Sequence, residues 1–433
     1  MMKKLTAPLV AGLAFMSLGA QAEVSVDAQL DYEVSAYAND RATPGVDQRI
    51  NNSLSLELEV FTAWDNDAQS ITFKPFFRQD EMDDERTHGD IRELIWNKLT
   101  DDYELKLGIG KVFWGVTESA HLVDIVNQSD SVESIDGEQK LGQPMVQVLL
   151  EREWGNLDLF VLPYFRERTF AGADARLSPG LDYANAIYES SDEESNVDLA
   201  ARWSHYWDEL EYAVSVFHGT SREPVIGGNP ESELIPYYAQ ISQLGIELQY
   251  LNEGWAWKFE GIVRDGMPES ASYALTANPS GSVNTSCLTC PTSSPYPGFD
   301  YYVVGGDEHY FATAAGFEYS QVGIWETRVD LGWVAEHIYD SRQEKASFGA
   351  FEHDVLLATR WAANDDADST LLVGVVYDYE FEDYSVSIEG NTRLFDGLSM
   401  AVEARVFAPA SDNVAQYGFR DEDFVKLTLS YYL

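Results

Sequence analysis

Residues 103–113 read YELKLGIGKVF and residues 144–154 read PMVQVLLEREW, and these two stretches decide the fold. In the first, Tyr103, Leu105, Leu107 and Ile109 alternate with Glu104, Lys106, Gly108 and Gly110; in the second, Val146, Val148 and Leu150 alternate with Gln147, Leu149 and Glu151. A period of two gives an extended strand one apolar and one polar face. The acidic segment between them, 114–143, is too long for a hairpin loop in a compact domain, and such length marks a functional loop. If the two strands are staves of a membrane barrel, the segment is placed to fold into the lumen and set its width.

Outward from this stretch, strand-length alternating runs continue in both directions with hardly any 3.6-residue periodicity. The runs are 24–38, 48–64, 69–79, 89–100, 102–113, 144–154, 155–166, 196–207, 209–219, 237–251, 254–265, 308–320, 323–338, 351–363, 369–380, 383–395, 397–408 and 422–433, eighteen in all. Short connections such as 65–68, 101–102, 155–156 and 208–209 alternate with long ones such as 80–88, 114–143, 167–195 and 266–307. Short turns at one end and long loops at the other are the pattern of an antiparallel outer-membrane barrel with short periplasmic turns, long extracellular loops and periplasmic termini. Pro75 and Pro163 fall inside expected strands, where each removes a ladder donor. They predict bulges, and a break at either would reduce the count to sixteen.

Residues 1–22 read as a cleaved signal peptide, with Lys3 and Lys4, an apolar core from Leu9 to Leu18, and Ala20-Gln21-Ala22 before Glu23. The apolar run is too short for a membrane anchor, and no later stretch approaches a spanning helix. The barrel is therefore expected over 23–433. The 433 residues carry a net charge of −45 from 28 basic and 73 acidic residues, and loss of the two leader lysines leaves −47. Such a charge excludes nucleic acid as a partner and enriches cations near the surface. Cys287 and Cys290, the two cysteines, sit in SCLTCPTSS within the long 266–306 loop and predict a local disulfide in an exported protein.

Six tryptophans, Trp64, Trp154, Trp207, Trp255, Trp325 and Trp361, fall within a few residues of a short turn, where a barrel sets an aromatic girdle. The last strand runs to the final residue, with Val425, Leu427, Leu429, Tyr431 and Leu433 on one face. A barrel must pair its last strand with its first. With its alternate apolar residues, this C-terminal strand resembles that of outer-membrane porin-like proteins of Gram-negative bacteria, although Leu433 stands where that group usually has Phe or Trp. The segment GKVFWGVTESAHLVDIVNQSD, Gly110–Asp130, is similar to one in functionally uncharacterised porin-like proteins. The resemblance implies an outer-membrane channel for passive diffusion of small hydrophilic solutes and ions, with outer-membrane lipid and the outer-membrane assembly machinery as partners, and it admits a homo-oligomer. The rival reading is a non-conducting surface barrel, an adhesin or structural protein.

No catalytic constellation stands out: there is no G-x-S-x-G, no H-E-x-x-H and no complete phosphate loop, and nothing calls for a cofactor or a metal. The chain is therefore not read as an enzyme. Parity puts many charges on the inner face, and a lumen so lined must be wet. In a closed ring of eighteen strands, the loop from the fifth and sixth faces the fourteenth and fifteenth. A charge-separated constriction is expected there: Glu118, Asp124, Asp130, Glu133, Asp136 and Glu138 from the loop against Arg328, Arg360, Arg393 and Arg405 from the wall.

Overall fold

The computed structural model describes residues 24–41, 48–228, 233–268, 270–275, 299–304, 308–342, 353–410 and 418–433. The expected leader, 1–22, and the expected Cys287–Cys290 disulfide lie outside the described residues. Eighteen antiparallel strands form one closed sheet. In chain order they are β1 Val24–Tyr37, β2 Ile50–Trp64, β3 Gln69–Asp80, β4 Gly89–Leu99, β5 Glu104–Gly110, β6 Gln143–Arg152, β7 Gly155–Leu162, β8 Asp198–Trp207 and β9 Leu210–Thr220. The second half follows as β10 Gln240–Asn252, β11 Trp255–Met267, β12 Glu308–Gln321, β13 Asp330–Asp340, β14 His353–Ala362, β15 Thr370–Asp378, β16 Asp383–Phe395, β17 Leu398–Ala408 and β18 Phe424–Tyr432. The ring closes where β18 pairs with β1, from Tyr37 opposite Phe424 to Gln29 opposite Tyr432. Leu433 extends the seam, its N–H donating to the Ala28 carbonyl at 2.9 Å.

Closure follows from the alternation. Val24, Val26, Leu30 and Tyr32 of β1 are exposed on the outside, as are Val425 and Tyr431 of β18, while Glu33 and Ser35 are buried on the inside. The terminal-strand residues Val425, Leu427, Leu429 and Tyr431 lie opposite Ala36, Val34, Tyr32 and Leu30, so apolar side chains meet across the seam. Trp207 and Trp325 are among the most exposed large side chains, 73% and 77%, and both lie at short turns. Trp255 stacks on Trp257 with centroids 5.5 Å apart and Trp325 lies 6.1 Å from Trp361, so several girdle tryptophans pack on each other or on ring neighbours.

The glycines of the opening stretch relieve crowding in the wall. Gly108 has φ +137°, and a Cβ there would come within 2.0 Å of the Leu94 carbonyl oxygen. Pro75 sits at the expected bulge, where the β3–β4 register shifts between Lys74 and Pro75, and Arg92 is the extra residue on the partner strand. Pro163 makes no bulge: β7 stops at Leu162, so the missing donor falls just past the ladder.

One strand differs clearly from expectation. The run 323–338 begins at Asp330, because 322–329 is a turn in which Trp325 and Glu326 take φ +52° and +58°. The long connections also hold structure that alternation did not announce. Val225–Gly228 pairs with Leu234–Tyr238, which pairs with Ile187–Tyr188, and Ser270–Leu275 pairs with Phe299–Val304.

Candidate functional site

The segment between β5 and β6 is held by its own residues first. Asn127 donates to the Gly110 and Leu141 carbonyls at 3.0 and 2.8 Å and accepts the Val112 N–H at 2.8 Å, which ties the two ends of the segment together. Beyond this staple, Trp114, Val123, Ile125 and Val126 are buried against Met145, Phe160, Phe217, Ile241 and Ile262. Those five partners occupy inner-face positions on β6, β7, β9, β10 and β11, in register with polar inner residues such as Gln147 and Gln243. One side of the barrel interior is therefore apolar and dry, and each large side chain buried there is worth roughly 1.5–3 kcal/mol.

The tip of the segment is held by two wall carboxylates. Glu260 on β11 is fully buried and accepts the N–H groups of Val116 at 2.7 Å, Thr117 at 2.9 Å and Val123 at 3.3 Å, and the Thr117 hydroxyl at 2.6 Å. Glu336 on β13 accepts the N–H groups of Glu118 and Ser119 at 2.8 and 2.9 Å and the Ser119 hydroxyl at 2.5 Å. A carboxylate surrounded by N–H donors is satisfied without a cation. Gly115 makes the approach possible, since at φ +135° a Cβ would lie 2.9 Å from Glu260 Oε1.

The six loop acids divide by partner. Glu118 reaches Lys258 and Arg360, both at 2.7 Å, and Asp136 reaches Arg405 at 2.8 Å. Glu133 grips Arg78 with both oxygens at 3.0 Å and lies 3.4 Å from His88, whereas Asp130 pairs with Arg92 and accepts the Thr169 hydroxyl at 2.6 Å. Asp124 turns inward to Lys140 at 3.4 Å and Glu138 to His121 at 3.3 Å, so these two brace the segment itself. Burial pushes the Glu118 carboxyl up, but Lys258 and Arg360 more than offset it and hold it below its ordinary value. Burial likewise pulls the His121 imidazole down, and the Glu138 carboxylate overrides it to leave His121 raised. For Asp124 burial wins over Lys140, and its carboxyl is raised.

The four expected wall arginines separate in the same way. Arg360 and Arg405 meet the loop, as described. Arg328 is corrected: it lies exposed in the 322–329 turn, off any strand, and its carbonyl accepts from Asn364 of the neighbouring 363–369 turn at 2.7 Å. Arg393 is on the inner face but at the turn end of β16, where it pairs with Asp368 at 2.8 Å and not with the loop. Arg328 has no barrel face because the strand starts only at Asp330, whereas Arg393 shows that parity gives a side chain's face and not its depth. Around Arg405 stand Asp136, Glu389 and Glu403, and Lys426 takes the other oxygen of Glu403 at 2.6 Å. Glu389 and Glu403 are direct cross-strand neighbours, as are Asp27 and Glu59, so like charges face each other on the inner wall. Such pairs are destabilising by themselves.

Lys258, Glu260 and Glu336 were not singled out as site residues. The period-two reading puts Lys258 and Glu260 on the inner face, but their partners come from 140 and 143 residues away and leave no local signal. A second long segment, 163–197, is anchored across the same end of the barrel. Its buried Arg176 donates to Glu422 at 2.6 Å and to the Asn39 and Gln48 carbonyls at 3.0 and 3.2 Å, and its guanidinium lies 4.4 Å from the Tyr37 ring centroid.

With this geometry in hand, comparison with solved structures gives the fold a context. A BenF-like porin from Pseudomonas fluorescens Pf-5 matches with a TM-score of 0.52 at 10% identity, covering 95% of this chain and 98% of that one. OccK5 (OpdH) of Pseudomonas aeruginosa matches with a TM-score of 0.51 at 9% identity and the same coverage. The chain shares the porin fold with them. No family model and no curated protein matches the sequence.

Proposed function

We propose that this chain is an outer-membrane channel through which small hydrophilic solutes and ions diffuse passively, with the 114–143 segment as its constriction. One observation carries the reading: inside a closed ring of eighteen strands, loop acids meet wall cations at Glu118–Arg360 and Asp136–Arg405. A ring of this size is wide enough for an aqueous passage. Charges of both signs left half-exposed on its inner face belong in water, because several kcal/mol per ion would be lost in a dry core. The loop's apolar side covers β6–β11, and the open passage runs along the opposite wall, past Arg360, Arg405 and Lys426.

In this reading the leader directs export, the outward residues of β18 are presented to the assembly machinery and to lipid, and the short turns face the periplasm. Acids outnumber bases around Arg405, and the whole chain is strongly acidic, so the channel prefers cations weakly. Neither a cofactor nor catalysis enters it. Reconstitution in a planar bilayer under a salt gradient tests the proposal: steady single-channel currents with a reversal potential on the cation side are expected. A barrel that inserts but carries no current would favour the surface-protein alternative.

A further inference from the structure

Between the two long segments lies a cavity of about 700 Å³, within the ~300–1,000 Å³ range of small-molecule sites. Its lining includes Asp90, Asp130, Arg166 and Arg168, with Phe170 and Tyr183 also on its wall. The two acids are already matched. Asp130 has Arg92 and the Thr169 hydroxyl, and Asp90 has Arg166 at 2.8 Å and Arg92 at 3.5 Å.

Arg168 is different. Its Nη2 donates to the Arg222 carbonyl at 3.0 Å and its Nε to the Gln128 side-chain carbonyl at 3.4 Å, and it makes no ion pair among the described residues. The adjacent carboxylate, Glu167, is taken by the Tyr188 hydroxyl. Two neutral acceptors fix the plane of the guanidinium without cancelling its charge. A guanidinium so held is pre-organised for a carboxylate.

The remaining lining adds two features. Phe170 and Tyr183 stack with centroids 4.1 Å apart at 11°, a flat apolar surface beside the charge. Glu85 and Asp182 also line the cavity, and neither makes an ion pair among the described residues. A plain anion would be repelled by these acids and by the net charge of the chain, whereas a cationic group on the same molecule would be attracted. We infer that this cavity docks a small zwitterion of the amino-acid or dipeptide class, with its carboxylate on Arg168, its ammonium toward Asp182 or Glu85, and its side chain against Phe170 and Tyr183.

Docking does not require conduction, so this inference and the channel reading fail in separate experiments. Isothermal calorimetry on the detergent-solubilised full barrel, with Gly-Phe, N-acetylphenylalanine, phenylalanine amide and glucose as titrants, tests it. Saturable binding of Gly-Phe is expected, weakened at least tenfold by R168Q and less by R168K. D182N, at an exposed side chain with no hydrogen bond or ion pair among the described residues, should weaken Gly-Phe severalfold and leave N-acetylphenylalanine unchanged. Absence of saturable heat for Gly-Phe, equal affinity in R168Q, or binding of glucose alone would overturn it. Should R168Q fail to fold, as judged by heat-modifiable mobility, D182N and Y183A decide: unaltered Gly-Phe affinity in both also overturns it.

Discussion

The Glu260 carboxylate accepts the Val116 N–H at 2.7 Å across 144 residues of sequence, with Thr117 and Val123 donating to the same group. The wall thus holds the 114–143 segment through its backbone, independently of which loop side chains meet wall charges. Removing this acceptor leaves several buried donors unpaired, at a cost on the order of 3 kcal/mol. E260A should therefore loosen the loop and raise single-channel current noise, and E260A/E336A should do so more strongly. Noise analysis at constant voltage checks this, and quiet channels in the double variant would count against the latch.

A pH window follows from the loop's titrating groups. Glu118 is held below its ordinary 4.5, so its contribution to loop docking is full above that value and is lost as pH falls through the lowered one. His121 is raised above its ordinary 6.5, so its contribution is full below 6.5 and is lost as pH rises through the raised value. The segment should be held tightest between the two, with Glu118 anchoring it to the wall and His121 bracing it against Glu138, and conductance fluctuations should grow on both sides. H121Q should remove the alkaline limb and E118Q the acidic one, as read from noise against pH.

The arginines give a sharper discrimination. R360Q and R405Q remove cations that face loop acids and should each raise the cation-to-anion permeability ratio, by roughly twofold for a single lumenal charge. R328Q and R393Q alter turn-end positions and should leave it unchanged. Reversal potentials of the four variants in a salt gradient test the assignment.

These four positions also show what the sequence could and could not tell. The strands are legible because an apolar outer face and a largely polar inner face impose a period of two on every stave, and β16 is bounded to the residue. Arg328 is expected on a strand because Trp325, Thr327 and Val329 alternate with Glu326, Arg328 and Asp330, through a turn whose positive φ values fall on Trp325 and Glu326, residue types that do not announce one. The partners of the loop acids were half legible, since facing follows from strand count while depth follows from tilt. The dry side of the interior does carry a signal in the sequence. Phe160, Phe217, Ile241 and Ile262 are apolar at inward positions, and apolar residues facing a lumen require something to cover them.

Gly108 supplies a stability test. An alanine Cβ would sit 2.0 Å from the Leu94 carbonyl oxygen, at a φ of +137° that L-residues rarely adopt. G108A should cost about 2 kcal/mol or more and lower the temperature at which the barrel loses its heat-modifiable mobility. G390A, with its nearest contact at 3.4 Å, serves as the tolerated control.

Whether the 114–143 segment narrows a conducting lumen is read from single-channel conductance before and after deletion of Ser119–Lys140. Steady channels in the intact protein and a severalfold larger conductance in the deletion are the expected result. Identical conductance in the two, or no current from the intact barrel, would contradict it.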